Sequence, residues 1–282
     1  MTDIQIVHAD ALTIPPASLA GFDVMITDPP YSAHVHENAA SAGTLGEGSR
    51  GWHRRDLGFA HLSPELRAHV ARLAESVRRW SVIFSDHEGT FLWRGFVSNN
   101  GLGPTEYIRL VPWVRWSQPQ KSGDRPGSQS EAVLHFHAPG AKHWNGPGSL
   151  THYARKCMRG AEKHPTEKPL DLLLDMVSWF SDPGENVIDP CAGAGTTALA
   201  CKLLGRGCAA IEAQEAWAAH ATARLATFSD RDRTKAAEWC ESTTEEAGAS
   251  LAKPPAADGS DVKTRARAQR RLDDVERVRA WL

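Results

Sequence analysis

Three short stretches hold residues whose types and order can do chemistry. The first is Val24-Met25-Ile26-Thr27-Asp28-Pro29-Pro30-Tyr31, where an apolar run ends abruptly in an acid, two prolines and an aromatic. Neither proline can donate a backbone hydrogen bond, so a strand must stop there. The Asp28 carboxylate, the Asp28 and Pro29 carbonyls and the Tyr31 ring are left at a strand's carboxyl end, where ligands bind in open parallel sheets. Acceptors beside an aromatic plate suit a flat heterocycle bearing an amino group. Its amine hydrogens need acceptors and its ring needs a stacking surface.

The second stretch is Asn186-Val187-Ile188-Asp189-Pro190-Cys191-Ala192-Gly193-Ala194-Gly195-Thr196-Thr197. A strand enters a Gly-x-Gly turn and a helix follows, apolar at Leu199, Leu203 and Leu204 and closing near Gly205. The glycines let backbone approach a ligand closely. No G-K-[ST] follows that would hold phosphates. The next strand, Cys208 to Ile211, ends in Glu212, one strand and one helix beyond the turn, which suits an acid that takes ribose hydroxyls. A surface glutamate is the plainer alternative. The third stretch, His164-Pro165-Thr166-Glu167-Lys168-Pro169, precedes an apolar helical stripe of Leu170, Leu173, Leu174, Val177 and Phe180. A helix start with unpaired N–H groups, the Thr166 hydroxyl and the Lys168 ammonium suit a carboxylate.

Asp28-Pro29-Pro30-Tyr31 resembles the catalytic tetrapeptide of the DNA amino-methyltransferases, which methylate the exocyclic nitrogen of adenine or cytosine with S-adenosylmethionine. The hexapeptide 164–169 closely resembles the family's motif near the amino-acid end of that cofactor. Together the motifs cover about Asp3 to Leu225, in the order catalytic tetrapeptide, recognition segment, cofactor motifs. That is the circularly permuted order of one class of the family. The resemblance implies an α/β fold: a doubly wound, Rossmann-like sheet of about seven strands, mostly parallel, with helices on both faces. It also puts the glycine turn and Asp28 on neighbouring strands.

The same resemblance implies the site. Asp28, Pro29, Pro30 and Tyr31 would be catalytic, acting on a base flipped out of double-stranded DNA. Asp189, Pro190, Cys191, Gly193 and Gly195 would hold cofactor, with Thr196, Thr197 and Glu212 beyond them and Thr166 and Lys168 at its amino-acid end. In the family an acid just before the catalytic strand contacts the cofactor's adenine side, which points to Asp10 with its neighbour Ala11; a turn or cap role accounts for Asp10 equally well. Cys191 stands where the family commonly has phenylalanine, and its smaller side chain loosens that pocket wall. Aspartate at position 28 is typical of adenine enzymes and serine is common in cytosine ones, so N6 of adenine is expected over N4 of cytosine. Neither a metal nor a covalent enzyme intermediate is required.

The elements that must position these residues follow in order. Ile4 to Val7 alternates as a strand leading to Asp10. Residues 32–60 show no periodicity and hold five glycines, with Arg50, Trp52, His53, Arg54 and Arg55 clustered late. A loop this long is usually functional or disordered. Following Asp28 directly, it suits a flap over substrate with Arg50, Arg54 and Arg55 on phosphates, or simply a solvated surface loop. His34 and His36 lack a third metal ligand at a convincing spacing. Ser63-Pro64 opens a helix whose Leu66, Val70, Leu73, Val77 and Trp80 form one apolar face. Strands are expected at 81–85, 107–111 and 132–136 and a helix near 91–97, with His135 and His137 read as edge-strand residues.

Between Arg94 and Lys163 stand ten Lys/Arg against four Asp/Glu, whereas the whole chain carries a net charge of −2. Trp113, Trp116 and Trp144 are interleaved with these cations, a pattern that suits phosphate contacts plus base stacking and equally a solvated basic face over core tryptophans. Lys121, Arg125, Arg155, Lys156 and Arg159 are the DNA-facing candidates. Residues 138–163 lie where the family inserts its target-recognition region, and the segment is short.

At 282 residues, 41% hydrophobic and 23% charged, the chain has an ordinary globular composition. A catalytic domain over 1–228 is expected, then 229–282 as a linker (Glu245 to Asp261) and an amphipathic helix (Thr264 to Leu282) that docks on the domain or meets a homodimer partner or companion subunit. The five cysteines show no C-x-x-C spacing and fit reduced thiols in a cytoplasm. No apolar run approaches the ~20 residues of a membrane span. A cofactor- and DNA-binding subunit that needs a partner to act is the rival from another class.

Overall fold

Alternation along the central strands divides the core into two layers. Val24 and Ile26 face one layer while Met25 faces the other, and the same alternation holds for Val82, Ile83 and Phe84 and for Val187 and Ile188. The computed structural model describes residues 3–19, 21–37, 40–45, 49–54, 59–101, 103–115, 128–155, 166–256 and 258–282. In chain order the elements are β1 (Ile4–His8), β2 (Val24–Thr27), α1 (Ala33–Glu37), β3 (Ala40–Leu45), β4 (Ser49–Arg54), α2 (Pro64–Ser76), β5 (Trp80–Ser85), α3 (Gly89–Ser98), β6 (Glu106–Val114), β7 (Ser130–His137), β8 (Tyr153–Ala154), α4 (Leu170–Phe180), β9 (Asn186–Asp189), α5 (Thr196–Leu204), β10 (Gly207–Glu212), α6 (Glu215–Ala226), α7 (Asp230–Ala252) and α8 (Val262–Arg279).

Eight strands form one sheet in the order β1-β10-β9-β2-β5-β7-β6-β8, and β3 and β4 form a separate hairpin. The pairings from β1 to β5 are parallel, while β7 runs antiparallel to both β5 and β6. From β9 the chain passes through α5 to β10 on one side; from β2 it passes through α2 to β5 on the other. The carboxyl ends of β9 and β2 therefore flank the switch point of a doubly wound sheet, where a ligand crevice forms. The fold matches the expected α/β class, with one strand more than expected because β8 adds a two-residue pairing beyond β6.

Three local expectations are corrected. His135 and His137 are not on an edge: β7 is paired on both sides and both rings are buried. The His135 ring meets the Tyr153 hydroxyl at 2.9 Å, and burial pushes its pKa down to about 3, so it is neutral. Residues 230–252 form a 23-residue helix that takes in the first part of the expected linker. Its N-terminus carries a capping box between Ser229 and Asp232. Its buried face is Ala236, Trp239, Cys240, Thr243 and Ala247, mostly small residues that leave little apolar signal. Residues 40–45 and 49–54 pair as antiparallel strands instead of an irregular loop, and their Ala, Ser, Gly and Thr content hides the strand period.

α8 docks on the domain. Val275 and Val278 enter the core, and Asp274 meets Arg206 and Ser178, with the Arg206 and Asp274 side chains fully buried. No described helix is long and apolar enough to cross a membrane.

Candidate active site

The strand β2 is wholly buried and stops at Asp28, as the two prolines require. Asp28 lies in a cluster with the nearby Tyr31 and with Lys168, Glu131 and Arg115 from distant parts of the chain. Lys168, from the turn before α4, donates to Asp28 Oδ2 and stands 3.3 Å from Glu131 Oε2. Tyr31 donates its hydroxyl to the same Glu131 oxygen at 2.5 Å. Arg115, just past β6, holds the other Glu131 oxygen at 3.1 Å. The second Asp28 oxygen, Oδ1, is buried and accepts no hydrogen bond among the described residues.

Burial sets the titration of this cluster and the charges then divide it. Desolvation raises the Asp28 carboxyl above its ordinary range, with Lys168 opposing, Glu131 adding to the rise and Tyr31 opposing weakly. Burial would raise Glu131 too, but Lys168 and Arg115 outweigh it and hold that carboxyl low. Burial alone would lower Lys168, yet the two carboxylates outweigh it and keep the ammonium charged. Tyr31 is pushed well above its usual value, chiefly by burial, and stays a neutral phenol.

Next to this cluster is the glycine turn. Asp189, at the end of β9, accepts from the Thr27 hydroxyl at 2.9 Å and from the Cys191 N–H at 3.1 Å. Burial pushes its pKa up to about 6 despite those bonds and one from Thr197. Gly195 has φ +73°, and a Cβ there would stand 2.6 Å from Ala221 Cβ, so both the turn and the close approach of α6 require glycine. Pro190, Thr196 and Thr197 are buried around the turn, with Gly193 at φ +51° and Cys191 half-buried on its wall. Burial and the surrounding acids push the Cys191 thiol far up, which removes it as a nucleophile.

Glu212, at the end of β10, braces the turn. Its carboxylate accepts the Gly193 N–H at 2.7 Å and the Gln214 N–H at 2.8 Å, one on each oxygen. The carboxylate, which also accepts from the Ala213 backbone, keeps lone-pair capacity for a hydroxyl. Asp10 is a cap: it accepts the Leu12 N–H at 2.9 Å at the start of a short 3-10 turn containing the buried Ala11. It also lies next to the end of β10, because β1 pairs with β10 and the Ala9 N–H donates to the Glu212 carbonyl. Asp10 and Glu212 thus end adjacent strands.

The hexapeptide is stitched to the turn by a residue that carries no motif. Arg224 on α6 meets Glu167 at 3.0 Å, the Thr196 hydroxyl at 3.0 Å, the Ala194 carbonyl at 3.1 Å and Asp232 at 2.7 Å. Thr166 is exposed before α4, and Pro169 caps the helix that Leu170 begins. Lys168 departs from expectation: its ammonium is committed to Asp28 and Glu131 instead of standing open to a carboxylate.

The expected DNA contacts divide. Arg155 is held by Asp175 through Nε at 3.1 Å and Nη2 at 2.6 Å, and Asp175 also accepts from Trp239, so Arg155 ties its segment to α4 and α7. Trp113 is buried and Trp144 packs against the core, so neither serves as an exposed stacking plate. Arg50 and Arg54 fall on β4, paired with Thr44 and Ala40. Arg55, Lys121, Arg125, Lys156 and Arg159 lie outside the described residues, as does Trp116. Glu131 and Arg224 were missed by sequence reasoning, for neither sits in a recognisable spacing.

An acid ending β10, a glycine turn after β9 and a carboxylate beside an aromatic after β2 form a donor and acceptor set that fits a nucleoside cofactor next to a planar amine. Residues 138–223 match the family model described as DNA methylase. Over 78 residues the chain is 38% identical to the type II methyltransferase M2.DpnII of Streptococcus pneumoniae, a stretch that spans 28% of each protein. The M1.HpyAVI–SAM complex has a TM-score of 0.58 and 26% identity, covering 79% of this chain and 100% of that one. The cytosine-N4-specific PvuII DNA methyltransferase, at 12% identity, shares the fold with a TM-score of 0.57 over 85% of this chain and 92% of its own.

Proposed function

We propose that this chain, which belongs to the S-adenosylmethionine-dependent DNA amino-methyltransferases, transfers a methyl group to the exocyclic N6 of adenine in DNA. The observation that carries the reading is Asp28: one oxygen held by Lys168, the other buried without a hydrogen-bond partner among the described residues, beside the Tyr31 ring. An exocyclic amine is a poor nucleophile because its lone pair is conjugated into the ring. Accepting its hydrogens at Asp28 Oδ1 and at the Pro29 carbonyl favours a pyramidal nitrogen whose lone pair is available. Tyr31 offers the stacking face for a base taken out of the duplex.

When bound, the cofactor would supply an electrophilic methyl group for the amine nitrogen, the C–S bonding pair being left on sulfur. The methylated nitrogen would then shed one proton, for which the Asp28 carboxylate is the proposed acceptor. Asp10, Asp189 and Glu212, with the turn at Gly193 and Gly195 and the threonines Thr166, Thr196 and Thr197, are the proposed cofactor-holding residues. The cations of β4 and of segments 116–127 and 156–165 are the proposed phosphate contacts. Aspartate at position 28 is the residue-level argument for adenine.

The test is direct. DNA incubated with the purified chain and labelled S-adenosylmethionine is digested to nucleosides and analysed by mass spectrometry. N6-methyladenine is the expected product. N4-methylcytosine would replace the adenine reading, and no labelled base would overturn the enzymatic one in favour of a subunit that needs a partner.

A further inference from the structure

Glu131 belongs to none of the three motifs, yet it gathers the Tyr31 hydroxyl, the Lys168 ammonium and the Arg115 guanidinium onto one carboxylate. Lys168 in turn holds Asp28, so two acids share one ammonium. That ammonium is enclosed by the rings of Tyr31, Phe84 and Trp113, with centroids 5.4, 5.0 and 5.8 Å from Nζ. The Lys168 side chain is 8% exposed. Turning it outward would leave the half-buried Asp28 carboxylate without its counter-charge and Glu131 with Arg115 alone, which is unfavourable.

We propose that Glu131 and Lys168 form a positioning couple for methyl transfer: Lys168 clamps one oxygen of Asp28, Glu131 anchors both Lys168 and the Tyr31 hydroxyl, and Asp28 Oδ1 is thereby fixed toward the amino group. The inference rests on the reading of Asp28 as the amine acceptor. A carboxylate ending a strand is otherwise able to rotate about its side-chain bonds, and a phenol ring is able to swing. Fixing both presents acceptor and stacking face in one geometry. Neither member of the couple needs to touch the base, so both are positioning residues.

The charged and titratable groups facing the couple are Arg115 past β6, Asp28 and Tyr31 after β2, and, toward the glycine turn, Asp189 and the Cys191 thiol near Asp28. Lys168 lowers the Asp28 carboxyl and Glu131 raises it. Removing one charge or the other therefore moves Asp28 protonation in opposite directions, which a merely structural role would not do.

The experiment measures single-turnover methyl transfer to DNA against pH for the wild-type chain, Lys168→Met, Glu131→Gln and the double variant, with cofactor affinity from calorimetry. Each single variant is expected to lose on the order of 10–100-fold in rate, while cofactor Kd changes by less than about twofold. The acid limb should move to higher pH in Lys168→Met and to lower pH in Glu131→Gln. The double variant should be no slower than Lys168→Met. Limbs that move together or stay put overturn the couple, as does a loss of cofactor affinity in step with rate. If Lys168→Met does not fold, Glu131→Gln decides alone: a lowered limb with intact cofactor binding supports the couple, and any other result overturns it. A wild-type chain that methylates no base overturns instead the functional reading beneath it.

Discussion

Thr27 donates its hydroxyl to Asp189 across 2.9 Å, joining the residue before Asp28 to the acid that opens the glycine turn. The bond crosses between β2 and β9, the two strands at the switch point. It ties together the carboxyl ends of those two strands. Asp189 holds that place at a cost, because burial raises its carboxyl to about 6.

The sign of the resulting pH dependence follows from that shift. A carboxyl whose folded pKa is raised contributes stability that is present below the unfolded value and is lost as pH rises through the folded one. Relative to Asp189→Asn, the wild-type chain should lose about 3 kcal/mol of unfolding free energy between about pH 4 and pH 6. Above that window the difference should be flat. Urea titrations at several pH values measure it, and a pH-independent difference would contradict the assignment.

Gly195 is required twice, by its φ of +73° and by the 2.6 Å approach that a Cβ would make to Ala221. Gly195→Ala should therefore destabilise the fold by about 1–3 kcal/mol. It should also weaken cofactor binding, since Arg224 fastens the adjoining Ala194 carbonyl and Thr196 hydroxyl to Glu167 of the hexapeptide. Denaturant unfolding and calorimetric titration read the two effects. Unchanged stability would mean that α6 withdraws freely from the turn.

What the sequence discloses and what it hides have a common cause. Interior strands buried on both faces read as continuous apolar runs, so β2, β5 and β9 are legible, and so are the residues at their ends. Asp28, Asp189, Gly195 and Glu212 are found because each follows such a run. Glu131 begins a strand, with no pattern around it; its role arises from the pairing of β7 with β6, which sets it opposite Trp113. Arg224 is likewise defined only once α6 has folded against the turn. The histidines of β7 misled because alternation along a strand does not reveal whether a neighbour pairs on each side. α7 escaped notice because Ala236, Thr243 and Ala247 bury little surface apiece.

The C-terminal helix is part of the domain, and its anchor is the pair of Arg206 and Asp274, both fully buried at 2.6 Å. Asp274 also accepts from Ser178 and Arg277. Asp274→Ala leaves the Arg206 guanidinium uncompensated and should cost about 3–5 kcal/mol. Replacing both residues together by apolar ones of similar volume should recover most of that loss. Chemical denaturation of the single and double variants checks this. A neutral single variant would mean that α8 is dispensable to the fold.

On the proposed reading, Asp28 serves the chemistry and not the cofactor. Its carboxylate lies on the β2 side of the switch point with Lys168, while Asp189, the glycine turn and Glu212 lie on the β9 and β10 side. Asp28→Ala removes the acceptor without touching the Gly193–Glu212 bond or the Arg224 stitch. Methyl transfer should fall by at least about 100-fold, the scale of losing one preorganised polar contact to the transition state. Cofactor affinity should hold, and Lys168 should stay charged on Glu131 alone. A calorimetric titration beside a labelled-methyl assay measures both quantities. Parallel loss of the two would mean that Asp28 supports the cofactor itself, and the division of labour across the switch point would have to be abandoned.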